Sequence, residues 1–110
     1  MAALMIKTGE VFRIALDPIK GSEQSGYRYC AIVSPDAIND NLNCVMIVPL
    51  TKAKKKWPTR VNTSFLKIEG QAMCEQIRTV DKSRLKEHSG TLNMVEIEQV
   101  KYILRTLFEN

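Results

Sequence analysis

Short apolar runs separated by polar segments dominate the first half of the chain. Residues 9–16, 27–34 and 44–50 are rich in branched, aromatic or other apolar side chains, and glycines, prolines or asparagines lie between them. Runs of this length bounded by turn-forming residues predict strands. The run at 44–50 is nearly all apolar, which predicts a central strand buried on both faces, with Pro49 near the end of its hydrogen-bonded ladder.

Shorter elements are predicted between and after these runs. Residues 36–43 are polar and suit a turn or one short helical turn. Residues 59–63 predict a short strand. A further strand is predicted over residues 70–77, running into 78–81, before a tight turn at 82–85.

The pattern changes to a helical one near Asn93. Asn93 and Glu96 have the spacing of a capping box, at which a helix begins, and Leu92 and Ile97 are placed for a hydrophobic staple around it. From Ile97 onwards, apolar side chains recur at helical spacing and predict one amphipathic helix. They are Ile97, Val100, Ile103, Leu104, Leu107 and Phe108.

Together these elements predict a single domain over residues 1–110 with an α+β fold that is mostly β. The strands would form a small barrel, on which the C-terminal helix packs. A length of 110 residues suits one domain. With 45% hydrophobic and 25% charged residues, the composition is that of a globular protein and excludes a disordered tail, a collagen-like fibre and a coiled coil.

The chain is expected to be cytoplasmic, with no membrane contact. Its longest apolar run, 44–50, is far shorter than the ~20 residues of a spanning helix, and its start lacks the features of a signal peptide. Its three cysteines, none of them spaced C-x-x-C, predict buried reduced thiols. The chain has a single histidine, His88, and its cysteines do not cluster. We therefore expect no metal site and no metal cofactor.

The positive charge is concentrated between residues 51 and 61. The net charge is +4, yet without the five cations of this segment the chain would carry −1. Such a loop attracts a phosphate backbone or an acidic protein segment; alternatively it is a solvated loop that blunts pairing at a sheet edge. Trp57 among the lysines could stack on an unpaired base or cover the core. The five cations are Lys52, Lys54, Lys55, Lys56 and Arg60.

Two polar groups adjoin the predicted second and third strands. The loop containing Ser22, Glu23 and Gln24 leads to Arg28, near the start of a strand, from which a guanidinium can be aimed. Thr51 emerges where the buried strand meets the basic loop. From the residues alone, a hairpin loop with a surface arginine and an ordinary threonine at a strand end remain alternatives.

A third polar group follows the apolar strand at 70–77. Alternation predicts Glu75 on one face with Ile77 and Thr79, and Gln76 and Arg78 on the other. A Glu, a Gln and an Arg within four residues suit base reading or phosphate binding. The alternative is that they only mark the end of the strand.

These groups occur in an order and spacing that resemble the MazF/PemK family of toxin endoribonucleases from bacterial type II toxin–antitoxin systems. The resemblance runs from Gly9 to about Leu107. Its pieces are Gly9-Glu10-Val11, Leu16-Asp17-Pro18, Gly21-Ser22-Glu23-Gln24, Gly26, Arg28, Ile32-Val33-Ser34, Asn39, Val48-Pro49-Leu50-Thr51, Pro58-Thr59, the run from Glu75 to Leu85 (EQIRTVDKSRL), Gly90 and the terminal helix.

The resemblance implies an SH3-like barrel of the CcdB/PemK type with a C-terminal helix, working as a homodimer. It implies cleavage of single-stranded RNA or mRNA without a metal, leaving a 2′,3′-cyclic phosphate and a 5′-hydroxyl. An acidic antitoxin protein would be the neutralising partner. By motif, Arg28 and Thr51 correspond to the catalytic arginine and threonine. With the basic loop included, the expected RNA-binding residues are Ser22, Glu23, Gln24, Lys54, Lys56, Trp57, Pro58, Glu75, Gln76 and Arg78.

The implied chemistry suits these side chains. The 2′-OH attacks its own phosphate, and the charge that develops on the phosphoryl oxygens can be met by the fork of Arg28 and the hydroxyl of Thr51. A guanidinium rarely gives up its proton, so Glu23 and Glu75 remain open as the base. One departure is Tyr29, where the family usually has proline after the arginine.

Two other functions remain open at this stage. One is a catalytically weak module of the same fold that only binds RNA or an antitoxin, with Tyr29 having disabled the site. The other is a toxin like the gyrase poisons, which share the fold and act by binding a protein. In the second case activity would depend on the C-terminal helix rather than on Arg28 and Thr51.

Overall fold

The computed structural model describes residues 5–16 and 27–109. Within these ranges, seven strands form one antiparallel sheet, and a long helix follows the last strand. The strands are β1 (Glu10–Ala15), β2 (Tyr27–Ile32), β3 (Cys44–Thr51), β4 (Arg60–Thr63), β5 (Gly70–Met73), β6 (Arg78–Asp81) and β7 (Leu85–Thr91); the helices are α1 (Asp36–Asn39) and α2 (Met94–Leu107).

Strand β3 is the centre of the sheet. The strand order is β4-β5-β3-β2-β1-β7, and β6 also pairs with β3. β3 is long enough to pair with β6 along its first half, where Ile47 lies opposite Arg78, and with β5 at its end, where Thr51 lies opposite Gln71. No pairing among the described strands joins β7 to β4, so the barrel-like sheet is not closed into a ring.

The sheet is buried on both faces. Ile14, Ile32 and Ile47 belong to one apolar cluster, whereas Val48 belongs to a second one that includes Val100 of α2. Neighbouring residues of β3 thus serve opposite faces, as period-two geometry requires. The prediction that 44–50 is a central strand buried on both faces is confirmed.

The start of α2 matches the sequence pattern in detail. The side chain of Asn93 accepts a hydrogen bond from the Glu96 amide at 2.8 Å, and the Asn93 amide donates to the Glu96 carboxylate at 3.0 Å. Leu92 and Ile97 share one apolar cluster, as a hydrophobic staple requires. The capping box is confirmed, and with it the C-terminal helix of the predicted α+β, mostly-β fold.

The far end of the helix differs from its predicted apolar stripe. Val100 is buried, but Leu107 is exposed and Phe108, the capping residue after the helix, is 72% exposed. The prediction that these two side chains belong to the helix face that packs on the sheet was therefore wrong. Helical spacing identifies a face but not how far the neighbouring sheet extends beneath it.

Two segments after β4 also differ from prediction. The predicted strand over residues 70–77 ends at Met73, and a 3₁₀ turn at Cys74–Gln76 separates β5 from β6. A turn is needed because β5 and β6 pair with different parts of β3. The predicted tight turn is present at Lys82–Arg84, but β7 follows it as a full strand that the polar sequence did not reveal.

The cysteines are buried in two cases out of three. Cys30 and Cys74 are buried free thiols, whereas Cys44, at the start of β3, is only partly buried, so the prediction of a buried thiol was wrong there. Strand ends are less covered than strand centres. None of the helices in the described ranges is long and apolar enough to cross a membrane.

Candidate active site

Arg28 and Thr51 lie on adjacent strands and line the same cavity. β2 and β3 are antiparallel, with Cys30 opposite Pro49. The shared cavity has a volume of about 620 Å³. Residues that are 23 positions apart in sequence are thereby placed together by strand pairing.

A second arginine, Arg78, lies on the same face of the sheet as Arg28. Strand alternation puts Arg28 on the face of Cys30, and the pairing with Ile47 puts Arg78 on that face as well. Burial raises the pKa of the Cys30 thiol to about 12, and the charges of Arg28 and Arg78 oppose that rise. Both guanidinium groups therefore add to the positive potential around this buried thiol.

The Thr51 hydroxyl is oriented by the chain that follows it. Its Oγ1 accepts a hydrogen bond of 3.1 Å from the amide of Ala53. A hydroxyl that accepts in this way keeps its own proton available for donation. Thr51 can thus donate to a phosphoryl oxygen without giving up the contact that holds it.

The basic loop, residues 52–59, begins directly after Thr51 and is exposed over most of its length. Lys54 forms a solvent-exposed ion pair of 2.9 Å with Glu69, an interaction that contributes little stability and is easily exchanged for another anion. Trp57 remains 49% exposed and packs on the Arg60 guanidinium, 4.5 Å from the ring centroid. The loop therefore presents lysines together with an ordered aromatic ring.

Both carboxylate oxygens of Glu75 are hydrogen-bonded to neighbouring side chains. Its two carboxylate oxygens accept hydrogen bonds from the Thr59 hydroxyl at 2.7 Å and from the guanidinium of Arg60, whose side chain is only 5% exposed. Partial burial raises the pKa of Glu75, but the hydrogen bonds from Arg60 and Thr59 outweigh it and hold that pKa below its ordinary value. Glu75 is therefore a poor candidate for the base and instead fixes the end of the basic loop against the 3₁₀ turn.

The other residues of that turn differ from the expected alternation. Because Cys74–Gln76 is a 3₁₀ turn, Glu75, Ile77 and Thr79 do not share one face of a strand, and that prediction was wrong. Gln76 is exposed on the turn, and Arg78 follows it, partly buried, at the start of β6. The turn thus separates an exposed amide from an arginine that faces the Arg28 side of the sheet.

The structure places the predicted site residues in three groups. The first group lies on the face of the sheet that carries Cys30 and consists of Arg28, Thr51 and Arg78. The second lies on the basic loop and consists of Lys54, Lys56, Trp57 and Pro58. The third lies on the 3₁₀ turn and consists of Glu75 and Gln76. Ser22, Glu23 and Gln24 lie outside the described residues.

The sequence pointed to Tyr29 near Thr51 but not to two neighbouring residues of β5. Tyr29, the departure from the family pattern, pairs with Arg13 in the sheet and places its ring 5.5 Å from that of Phe65. The backbone of β2 therefore continues as a strand without the proline. Gly70 and Gln71 of β5 also adjoin Thr51. A glutamine inside an otherwise apolar strand was a signal that could have drawn attention to this position.

Metal-ligating side chains do not cluster in the described ranges. No group of three His, Cys, Asp or Glu residues there could hold a metal ion. His88 instead pairs with Glu10 through its Nε2, at 3.0 Å, and lies edge-on to Phe12.

Comparison with known proteins gives matches over most of the chain. The family described as PemK-like, MazF-like toxin of type II toxin–antitoxin system matches residues 7–108. The Endoribonuclease MazF of Staphylococcus epidermidis is 36% identical over 103 residues, 86% of this chain and 86% of that protein. Two crystal structures from Deinococcus radiodurans share the fold at 24% identity. MazF aligns with a TM-score of 0.81 over 98% of this chain and 100% of that chain, and MazE-MazF with 0.80 over 96% of each.

Proposed function

Because the chain belongs to the family of PemK-like, MazF-like toxins of type II toxin–antitoxin systems, we propose that it is an endoribonuclease toxin that cleaves single-stranded RNA. The observation that carries the proposal is that Arg28 and Thr51, on the paired strands β2 and β3, line one cavity. The similarity to the MazF endoribonuclease of Staphylococcus epidermidis supports the same reaction class. The cleavage would be specific to a short RNA sequence.

The reaction is an internal displacement at phosphorus. The 2′-oxygen of the scissile nucleotide loses its proton and forms a bond to its own phosphorus, and the bond to the 5′-oxygen of the next nucleotide breaks. The leaving 5′-oxygen takes up one proton from water, so the products are a 2′,3′-cyclic phosphate and a 5′-hydroxyl. Arg28 would donate two hydrogen bonds to the phosphoryl oxygens and Thr51 one, where the negative charge develops. The nucleophile belongs to the substrate, so no metal-activated water is needed.

The proton of the attacking 2′-OH requires an acceptor. Glu75 is held as an ionised carboxylate by Arg60 and Thr59, so its affinity for a proton is low. Glu23, which lies outside the described residues, keeps the role of base as a hypothesis. Its direct test is the cleavage rate of the Glu23→Gln variant as a function of pH. If Glu23 takes the proton, the fall in rate at acidic pH that the wild type shows should be absent in this variant.

The basic loop provides the surface for the RNA strand. Lys54 and Lys56 would contact phosphates, and the exposed part of Trp57 would stack on a base next to Pro58. Gln76 and Arg78 would extend the surface beyond the 3₁₀ turn, and Glu75 would support it by orienting Arg60. Ser22, Glu23 and Gln24 would complete it from the β1–β2 connection.

The partners follow from the family and from the charge. The protein would act as a homodimer in the cytoplasm, where mRNA is found and buried thiols stay reduced. An acidic antitoxin would bind the same cationic surface as the RNA and so compete with it. The MazE-MazF structure from Deinococcus radiodurans, which shares this fold, supports an antitoxin as partner.

The test uses purified protein and a long single-stranded transcript in EDTA. We expect discrete cuts with 2′,3′-cyclic phosphate and 5′-hydroxyl ends. A short RNA that spans a mapped cut, with a 2′-deoxy substitution at the scissile nucleotide alone, should resist cleavage, whereas the same substitution one nucleotide away should be cut. Cleavage of the first oligonucleotide would refute the internal displacement, and loss of all activity in EDTA would refute cleavage without a metal.

A further inference from the structure

Gln71 is a buried polar residue on the strand that pairs with the end of β3. It lies on β5 directly opposite Thr51 of β3 and opposite Asn62 of β4. The residue is only 6% exposed, in a strand whose four residues are all buried. A primary amide in such a place is costly unless it is hydrogen-bonded, so its partners indicate what it is for.

The partners of Gln71 are mainly in the basic loop. Its Oε1 accepts a hydrogen bond of 2.9 Å from the amide of Lys55, and its Nε2 donates one of 3.1 Å to the carbonyl of the same residue. Nε2 also donates to Oδ1 of Asn62 at 3.1 Å. The side-chain amide thus pairs with Lys55 as the backbone of a neighbouring strand would, and fixes the middle of a loop that belongs to no strand.

A second contact holds the beginning of the same loop. The amide of Ala53 donates to Oγ1 of Thr51, so the chain from Thr51 to Lys55 is fixed at both ends. Lys54 and Lys56, the lysines proposed to contact phosphates, flank the fixed residue. Both lysines are exposed, and their backbone lies next to the residue that Gln71 holds.

We infer that Gln71 is a positioning residue, which holds the basic loop against Thr51 so that its lysines and Trp57 are arranged before RNA binds. Ordering the loop in advance removes part of the entropy that binding would otherwise lose. The effect on RNA binding rests on the proposed function, whereas the effect on the loop itself does not. Because Gln71 acts through Lys55 and not on the reacting phosphate, its loss should weaken binding more than the chemical step.

The sequence offers a direct probe of this loop. Trp57 is the one tryptophan of the chain and lies two residues beyond Lys55, so fluorescence excited selectively at tryptophan, beyond the absorption of the three tyrosines, reports the loop alone. Gln71→Met keeps the length of the side chain and removes all three hydrogen bonds. Gln99→Met, on an exposed position of α2, is the matched control.

In the free protein, we expect acrylamide to quench Trp57 about twofold more strongly in Gln71→Met than in wild type, as the loop becomes mobile. Gln99→Met should behave as wild type, and circular dichroism should show that both variants are folded. A folded Gln71→Met protein with wild-type quenching would overturn the proposal. A role of Gln71 in stability alone would lower the melting temperature without changing the quenching of the folded state.

Wild-type protein supplies a test that does not depend on the variant folding. The amide hydrogen of Lys55 should exchange with solvent more slowly than those of Lys54 and Lys56, which have no such buried acceptor in the described part of the chain. Equal exchange rates at the three positions would contradict the proposal.

The consequence for RNA is read from steady-state cleavage. Gln71→Met should raise KM about tenfold and change kcat by no more than about twofold. A tenfold fall in kcat with KM unchanged would contradict a role in positioning the loop. If replacing Lys54 and Lys56 leaves RNA binding unchanged, the proposed RNA surface fails, while the quenching and exchange results still judge the role of Gln71.

Discussion

Gly70 packs against the carbonyl of Thr51 so closely that a β-carbon at Gly70 would lie 2.3 Å from the Thr51 oxygen. Real β-carbons are not found at such a distance from a backbone oxygen, so β5 meets the end of β3 at a point where only glycine fits. The position of Thr51 therefore depends on the absence of a side chain in the next strand.

Gly70→Ala should therefore displace Thr51. We expect a loss of about 1–3 kcal/mol of stability, as for other overpacked positions, and a fall in kcat of about tenfold in the protein that remains folded. The measurement is single-turnover cleavage well below the melting temperature, with chemical denaturation alongside. A folded variant that cleaves at the wild-type rate would show that Thr51 tolerates the shift.

The role of the Thr51 hydroxyl is tested by a pair of variants. Thr51→Val keeps the shape and loses the donor, and should lower the cleavage rate by about 10²-fold. Thr51→Ser keeps the donor and should retain most of the activity. The amide of Ala53, which loses its acceptor in the valine variant, is exposed and can bind water instead. Equal rates for Val and Ser would remove the hydroxyl from the mechanism.

The ion pair between Glu75 and Arg60 predicts a pH dependence of stability. The pKa of Glu75 lies below its ordinary value of 4.5, so the folded state favours the carboxylate. This stabilisation is present above the unfolded pKa and is lost as pH falls through the lower, folded pKa. Glu75→Gln should thus be less stable than wild type near neutral pH. The difference in the free energy of unfolding between the two proteins should become smaller as pH falls below about 4.

Urea denaturation of wild type and Glu75→Gln, from neutral pH to below about 4, measures this difference in the free energy of unfolding directly. Asp36→Asn, on an exposed carboxylate whose ion pair with Lys7 is a long 3.8 Å, is the matched control and should show little change. A gap between wild type and Glu75→Gln that stays constant with pH would mean that the carboxylate does not supply the stabilisation.

The alternating and helical patterns predicted the elements whose burial follows from local sequence. β3 and the capping box of α2 are examples, because apolar continuity and cap spacing are properties of short segments. The 3₁₀ turn at Cys74–Gln76 was missed because it is imposed by two strands pairing with different parts of β3. β7 was missed because its residues are mostly polar and its pairing with β1 is a long-range contact.

The site was predictable only in part, for similar reasons. Arg28 and Thr51 were singled out through the family motifs, and both line one cavity because their strands pair, which no local pattern contains. The commitment of Glu75 to Arg60 and Thr59 depends on packing between β4 and the turn. Gln71 carries no motif, and its role emerges only from three hydrogen bonds to residues distant in sequence.

The basic loop should control the salt dependence of RNA binding. If Lys54 and Lys56 each contact a phosphate, replacing both with glutamine should reduce the slope of log Kd against log salt by about 1.4, since each contact to single-stranded nucleic acid contributes about 0.7. Lys86 and Lys101, both exposed and outside the proposed surface, provide a control with the same change of charge. Slopes that fall equally in both double variants would indicate general attraction, without specific contacts by the loop.

The most direct test of the account is the single-turnover cleavage rate of Arg28→Ala at saturating RNA, compared with Arg28→Lys and with Arg105→Ala as a control on an exposed arginine of α2. The account predicts a fall of about 10²-fold or more for Arg28→Ala. It predicts nearly as large a fall for Arg28→Lys, because an ammonium keeps the charge but loses the fork of donors. Arg105→Ala should cleave like wild type. Cleavage by Arg28→Ala at close to the wild-type rate would contradict the assignment of Arg28 and Thr51 as the phosphate-binding pair.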